Sequence, residues 1–170
     1  MINSINSIQL RPISILDSNM RECIELSVAK EQEDYVASNA HSLASAYMLN
    51  KRGIPSKAAP YAIYADGVMV GFVMYGYFES AFDDEYGENG EDYYYFWRFM
   101  MDAKHQGKGY GRQVMQLIMD EVRTRPFGPA EHFFTSYEPA NAVASKLYEA
   151  FGFENTGQVS DGENVMRCKL

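Results

Sequence analysis

Residues 106–112 read Gln-Gly-Lys-Gly-Tyr-Gly-Arg, three glycines alternating with a basic and an aromatic side chain. A glycine-rich turn between a strand and a helix exposes several backbone N–H groups, and the helix dipole adds positive potential. Such a turn is an anion site, most often for phosphate. The glycines permit backbone conformations closed to other residues and let a ligand approach closely. Lys108 and Arg112 would add charge. The Walker pattern GxxxxGK[ST] is absent, and the 107-109-111 spacing does not fit the dinucleotide pattern GxGxxG. Taken alone, the loop is either a phosphate cradle or a tight turn that needs flexible residues.

A second feature is a run of acid. Residues 79–92 hold seven carboxylates, Glu79, Asp83, Asp84, Glu85, Glu88, Glu91 and Asp92, and no Lys or Arg, in a chain whose net charge is −8. The run is either a solvated loop or a surface that attracts a cationic substrate. It argues against nucleic acid, which needs a basic face. Other nucleophile and metal signals are weak. His41, His105 and His132 are scattered without metal-ligand spacing. Ser136 and Ser145 lie outside any nucleophile-elbow pattern. Cys23 and Cys168 have no motif around them. With no export signal at the start, they read as free thiols in a reducing cytoplasm. No apolar run is long enough to span a membrane.

The elements that would position these groups follow from periodicity. The 170 residues suit one domain, 1–170, with a sizeable core. Alternation over 8–14 predicts a strand. Met20, Ile24 and Val28, four apart, predict a helix over 16–29. A further helix is expected over 33–53, ended by Gly53 and Pro55. Residues 60–78 are two apolar runs joined at Asp66-Gly67, a hairpin signal. Residues 92–102 are almost continuously apolar, as in a strand buried on both faces. The glycine loop then opens a helix with Val114, Met115, Ile118 and Val122 on one face. Residues 132–137 predict a strand. A helix follows over 141–152, with Val143, Ala144, Leu147 and Phe151 as its apolar positions. Residues 153–170 close the chain as a hairpin turning at Asp161-Gly162. The result is a mixed α/β domain with a strand–glycine loop–helix unit at its centre.

In that setting the loop resembles the acetyl-CoA signature [QR]-x-x-G-x-[GA] of the GNAT N-acetyltransferases, here Gln106-Gly107-Lys108-Gly109-Tyr110-Gly111. A second mark is Asn141, seven residues before Tyr148, with Phe-Gly-Phe at 151–153. Seven residues are about two helical turns, so both side chains point the same way. The resemblance implies a GNAT fold: a mixed, mostly antiparallel central sheet flanked by helices, with a splayed central strand at the acetyl-CoA site. It implies a cofactor site formed by Phe99, Met100, Met101, Gln106, Gly107, Lys108, Gly109, Gly111, Arg112 and Asn141, and Tyr148 as the acid that protonates the departing CoA thiolate. A bare structural role for Asn141 as a cap and Tyr148 as packing is the competing account.

The segments EDYVASNAHSLASAYM, PYAIYADGVMVGFVMY and WRFMMDAKHQGKGYGR further resemble bacterial spermine/spermidine (diamine) acetyltransferases. That resemblance implies acetyl-CoA as co-substrate, no metal, and a small cationic amine as the other partner, with residues 34–39 lining the amine entrance. Some polyamine acetyltransferases carry an acid late in the central strand, where this chain has Trp97-Arg98. The base is therefore open among Glu31, Glu33, Asp34 and Glu79, and the acidic run adds Asp83, Asp84 and Glu85 as amine-binding candidates. Three functions remain open: a polyamine acetyltransferase, an acetyltransferase for another amine (a peptide or protein N-terminus, a lysine, an amine drug), or a non-catalytic acyl-CoA-binding sensor. The chain could act alone or as a homodimer.

Overall fold

The computed structural model describes residues 7–53, 56–81, 85–87 and 90–170. The elements are β1 (Ile8–Pro12), α1 (Asn19–Glu25), α2 (Asn39–Lys51), β2 (Lys57–Ala65), β3 (Val68–Phe78), β4 (Tyr93–Met101), α3 (Tyr110–Arg123), β5 (His132–Tyr137), α4 (Ala142–Glu149), β6 (Glu154–Ser160) and β7 (Glu163–Lys169). The strands form one sheet in the order β1-β2-β3-β4-β5-β7-β6. Every neighbouring pair is antiparallel except β4 and β5, which α3 connects as a crossover.

Both sequence-read hairpins are present. Asp66 and Gly67 have φ of 51° and 84°, and Asp161 and Gly162 have 50° and 88°. Positive φ at both central residues is what a two-residue type I′ turn demands, and its twist matches that of the flanking strands. The sheet is covered on both faces. One layer packs Val114, Met115, Ile118, Met119 and Val122 of α3 against Ile63, Tyr75 and Phe133. The other packs Cys23 of α1 and Ala46 and Leu49 of α2 against Phe72, Met74 and Phe134.

Two helix expectations need correction. Met20 and Ile24 are 38% and 43% exposed, and the buried positions of α1 are Asn19 and Cys23. Asn19 is buried because it serves the backbone: its side chain accepts from Ser14 N–H and donates to Pro12 C=O. That tie orients the helix, and apolar spacing does not. The helix expected over 33–53 is two pieces, a 3-10 turn Lys30–Tyr35 and α2. Val36 is extended, and Ser38 caps α2 by accepting from His41 N–H. In α4, Val143 is 79% exposed, and Tyr148 takes the buried place.

The α3 layer is fixed by a polar contact. Glu121 Oε1 accepts hydrogen bonds from the Tyr61 and Tyr75 hydroxyls, each 2.7 Å away. Burial, and then the bonded carboxylate, raise the pKa of both phenols, so both remain donors. Glu121→Ala would remove the acceptor shared by the buried Tyr75 hydroxyl and the half-buried Tyr61 hydroxyl. We expect a loss of about 2–4 kcal/mol in urea denaturation, from the ordinary cost of such groups.

Candidate active site

β4 and β5 form a fork. They pair only at Tyr94↔Phe133, Tyr95↔Phe134 and Phe96↔Thr135. Beyond Phe96 the β5-facing edge of β4 has no strand on it, although β4 stays paired to β3 as far as Met101↔Gly71. At Gly71 an added Cβ would lie 2.5 Å from the Met100 carbonyl oxygen, so only glycine lets β3 follow β4 so closely. A β-bulge sits at the fork: Tyr75 pairs with Phe96 and Met74 with Arg98, which leaves Trp97 extra. The bulge resets the alternation. Tyr93, Tyr95, Trp97 and Met100 join the α1/α2 layer, and Tyr94, Phe96, Phe99 and Met101 join the α3 layer.

On the α3 side the glycine loop meets the fork. Gly107 and Gly109 have φ of 74° and 77°, with open space where a Cβ would stand. Gly109 is the N-cap of α3 and offers no side-chain cap to the first turn, so N–H groups of that turn face outward for a ligand. Gly111 lies inside the helix, and a Cβ there would only touch Phe99 at 3.6 Å. Lys108 and Arg112 are exposed; Lys108 Nζ is 3.4 Å from His105 Nδ1, and Arg112 lies over the Phe151 ring. Gln106 donates to Met101 C=O and to Gln32 Oε1, so it braces the loop against the 3-10 turn. Phe99 and Met101 are half-buried on this side, and Met100 points into the opposite layer. An open strand edge leading to a left-handed glycine turn and an uncapped helix start fits a long ligand with a pyrophosphate. Asn141 caps α4 by accepting from Ala144 N–H, which leaves its NH₂ as a donor.

Tyr148 fills the fork from this side. Its ring meets Phe96 edge-on at 5.9 Å and also contacts Tyr137 and Phe153. Its hydroxyl lies beside Thr135, the last residue of β5 that pairs with β4. Burial raises the phenol pKa well above its ordinary value, so Tyr148 stays protonated and holds its proton more tightly than a free phenol.

On the opposite face the fork opens into a cavity of about 260 Å³. Phe78, Tyr86, Tyr95 and Trp97 supply aromatic walls, and Glu85, Asp161 and Glu163 supply acid, against one cation, Arg98. Tyr86 brings the acidic run here. It is buried, stacked on Tyr95 with centroids 4.8 Å apart, and edge-on to Tyr93. Glu85 beside it accepts from Ser160 Oγ at 2.5 Å. The run is pinned at its base, where Asp92 accepts from Ser80 N–H and the Tyr77 hydroxyl. Ser136 donates to Glu163, and the Tyr95 hydroxyl lies 2.6 Å from Ser136 Oγ. A second hollow of about 410 Å³ shares Glu85, Tyr86 and Ser160, so the acidic space continues along the β6–β7 hairpin.

Of the amine-binding candidates read from sequence, Glu85 lines this cavity. Asp83 and Asp84 lie outside the described residues. Glu31, Glu33 and Asp34 are exposed on the 3-10 turn beside the glycine loop, and Glu79 follows β3 with its N–H on Ser56 Oγ; none of them lines the cavity. Asp161, Glu163, Ser136 and Tyr95 were not read from sequence as site residues. Their one sequence signal is the Asp-Gly turn, which returns β7 beside β5 and sets Val165 opposite Ser136. Burial pushes the Cys23 thiol up to about 12 and also raises Cys168, so neither is a thiolate nucleophile.

The profile of the acetyltransferase (GNAT) family matches residues 22–153. The chain is 29% identical over 160 residues to a spermine/spermidine N(1)-acetyltransferase of Bacillus subtilis, covering 92% of this chain and 96% of that one. Among solved structures it is similar to an aminoglycoside acetyltransferase, AAC(6')-Ib, in complex with coenzyme A, with a TM-score of 0.69 and 18% identity over 96% of this chain and 95% of that one. It is also similar to a Salmonella typhimurium acetyltransferase that modifies the N-terminal serine of a ribosomal protein, with a TM-score of 0.65 and 17% identity over 98% and 96%.

The packing of Tyr148 sets a stability test. Tyr148→Phe keeps the three ring contacts and should unfold within about 1 kcal/mol of the parent, whereas Tyr148→Ala should lose about 3–5 kcal/mol. Urea titrations of the two variants check this.

Proposed function

The chain belongs to the acetyltransferase (GNAT) family, and we propose that it moves the acetyl group of acetyl-CoA onto a primary amine of a polyamine such as spermidine or spermine. The cavity carries this reading. Three carboxylates against one guanidinium suit a ligand with several positive charges, and aromatic walls suit its methylenes and its ammonium groups. The curated relative supports it by its own substrate.

Bound acetyl-CoA supplies an activated acetyl carbon. Gly107, Lys108, Gly109 and the first turn of α3 would hold its pyrophosphate, with Arg112 and Asn141 alongside. The open edge of β4 at Phe99–Met101 would orient its arm. Glu85 and Asp161 hold the amine's distal charges, while Tyr86, Tyr95 and Trp97 exclude water from its chain. The gain comes largely from fixing two reactants at one fork. Tyr148 keeps a proton on its hydroxyl for the departing sulfur, on the side of the sheet away from the amine.

A second reading rests on Arg98. Its Nε is buried and has no hydrogen-bond partner among the described residues, and its Nη1 donates to Trp97 C=O. An amine that also bears a carboxylate, such as a peptide, would pair with it.

Thiol release with acetyl-CoA separates the two. Spermine and spermidine should exceed putrescine, and putrescine should exceed monoamines, aminoglycosides and serine-ended peptides. A preference for the peptides would select the second reading. Glu85→Gln with Asp161→Asn should raise the spermidine KM about 10-fold or more and leave the acetyl-CoA KM nearly unchanged. The spermidine KM of the parent should also rise with salt as screening grows. For the acid, Tyr148→Phe should lower kcat about 10- to 1000-fold at saturating substrates. A kcat within twofold of the parent would remove Tyr148 from that role.

A further inference from the structure

The proposed reaction needs a group to take a proton from the attacking amine, because an alkyl ammonium with a pKa near that of lysine, roughly 10, is about one part in a thousand neutral at pH 7. β4 has no acid at the fork; it has Trp97 and Arg98. We propose that the Ser136 hydroxyl takes this proton and passes its own to Glu163, so that Ser136 is the catalytic contact and Glu163, acting through it, stores the proton. This rests on the acetyltransferase reading above.

The hydrogen-bond inventory sets the direction. A hydroxyl has one proton to donate and two lone pairs to accept with. Ser136 donates to Glu163 Oε2. The Tyr95 hydroxyl, 2.6 Å away, then donates to Ser136 Oγ and fills one lone pair. The second lone pair is left for an incoming N–H. In the step, an N–H bond of the ammonium breaks and an O–H bond forms on Ser136. The original Ser136 O–H bond breaks and an O–H bond forms on Glu163. The freed nitrogen lone pair makes the new N–C bond, the C–S bond breaks with its electron pair going to sulfur, and the Tyr148 hydroxyl gives that sulfur its proton. N–C bond formation draws this transfer forward, because it consumes the neutral amine as it forms.

Position supports the assignment. Tyr95 and Ser136 each stand one residue from Phe96↔Thr135, the last pair before β4 and β5 part. The wire therefore crosses the fork at its apex. It lies on the cavity face, and Tyr148 with Thr135 lies on the other. Proton acceptor and proton donor thus flank the reacting atoms from opposite sides. Of the three acids in the cavity, Glu85 is bonded to Ser160 at the far hairpin and Asp161 is exposed at the turn. Glu163 is the one that accepts directly from Ser136 at the apex. The titratable and charged groups that face it are Tyr95 and Arg98 from β4, Tyr148 from α4, Asp161 from the turn, and Glu85 and Tyr86 from the acidic run.

The test is the pH dependence of kcat with saturating spermidine and acetyl-CoA. If Glu163 holds the proton in the rate-limiting step, no proton leaves for solvent. The parent should then be flat from about pH 6.5 to 8.5. Glu163→Gln keeps the shape and accepts Ser136's hydrogen bond, but it cannot take a proton. Its kcat should be about 100-fold low at pH 7, the scale of a lost general base, and should climb about tenfold per pH unit. Ser136→Ala should show the same slope. It carries the test if Glu163→Gln fails to fold by circular dichroism. Tyr95→Phe, which leaves the Ser136–Glu163 step intact, should lose activity without gaining the slope. Quenching of Trp97, the one tryptophan of the chain, reports spermidine binding without turnover; affinity in Glu163→Gln should stay within about fivefold. Parallel pH profiles for parent and variants, or a kcat within twofold, would overturn the relay and leave the polyamine reading standing. Absence of parent turnover with spermidine would overturn both.

Discussion

A parallel strand pair that ends after three residues governs this molecule. β4 continues for five residues past that pairing, with one edge held by β3 and the other bare. Backbone N–H and C=O groups in such a place need partners, from water or from an extended ligand. The bulge at Trp97 adds local twist at the same point. It also moves the following side chains out of phase, so Phe99 and Met101 turn toward the glycine loop while Trp97 and Arg98 face the cavity. One irregularity thus sends neighbouring side chains of a single strand to opposite faces of the sheet.

The two faces are built differently. The α3 face uses backbone: glycines in left-handed conformation and the start of a fourteen-residue helix. Such a site holds phosphate oxygens without needing many side-chain charges. The cavity face uses side chains, carboxylates and ring faces of the kind that suit an ammonium. Those side chains come from four separate places in the chain: the end of β3, the acidic run, β4–β5 and the β6–β7 hairpin. Aromatic stacking of Tyr86 on Tyr95 and the hydrogen bond from Ser160 to Glu85 join them. Seven carboxylates crowded into residues 79–92 repel one another. Burying one tyrosine and bonding Asp92 to Tyr77 and Ser80 gives that run fixed points on the sheet.

Local chemistry made several parts legible in the sequence. Asp-Gly turns flanked by apolar runs specify hairpins by their φ preference, and both formed. The apolar stripe of α3 specified its buried face, and the run at 93–101 specified the strand at the centre of the sheet. The glycine spacing at 107–111 and the seven-residue step from Asn141 to Tyr148 carried the family resemblance that the profile match bears out. These signals span a few residues each, and the physics behind them acts over the same range. Where a long-range tie competed, the local signal failed: Met20 and Ile24 face outward because Asn19 is bonded to Pro12 and Ser14.

The amine side could not be read this way. Glu31, Glu33 and Asp34 were candidates through the family resemblance, and they stand on the 3-10 turn beside the glycine loop. Glu163 and Ser136, twenty-seven positions apart, carry no motif. They meet because β7 returns antiparallel on β5, and Tyr95 reaches them because β4 lies parallel on the other side. The sequence by itself determined the strand–loop–helix unit, the turns and the family, since each is a choice of backbone conformation made by neighbouring residues. Only the tertiary structure decided which acids enclose the cavity and which hydroxyl faces the fork, because strand register, a property of two chain segments together, sets which side chains touch.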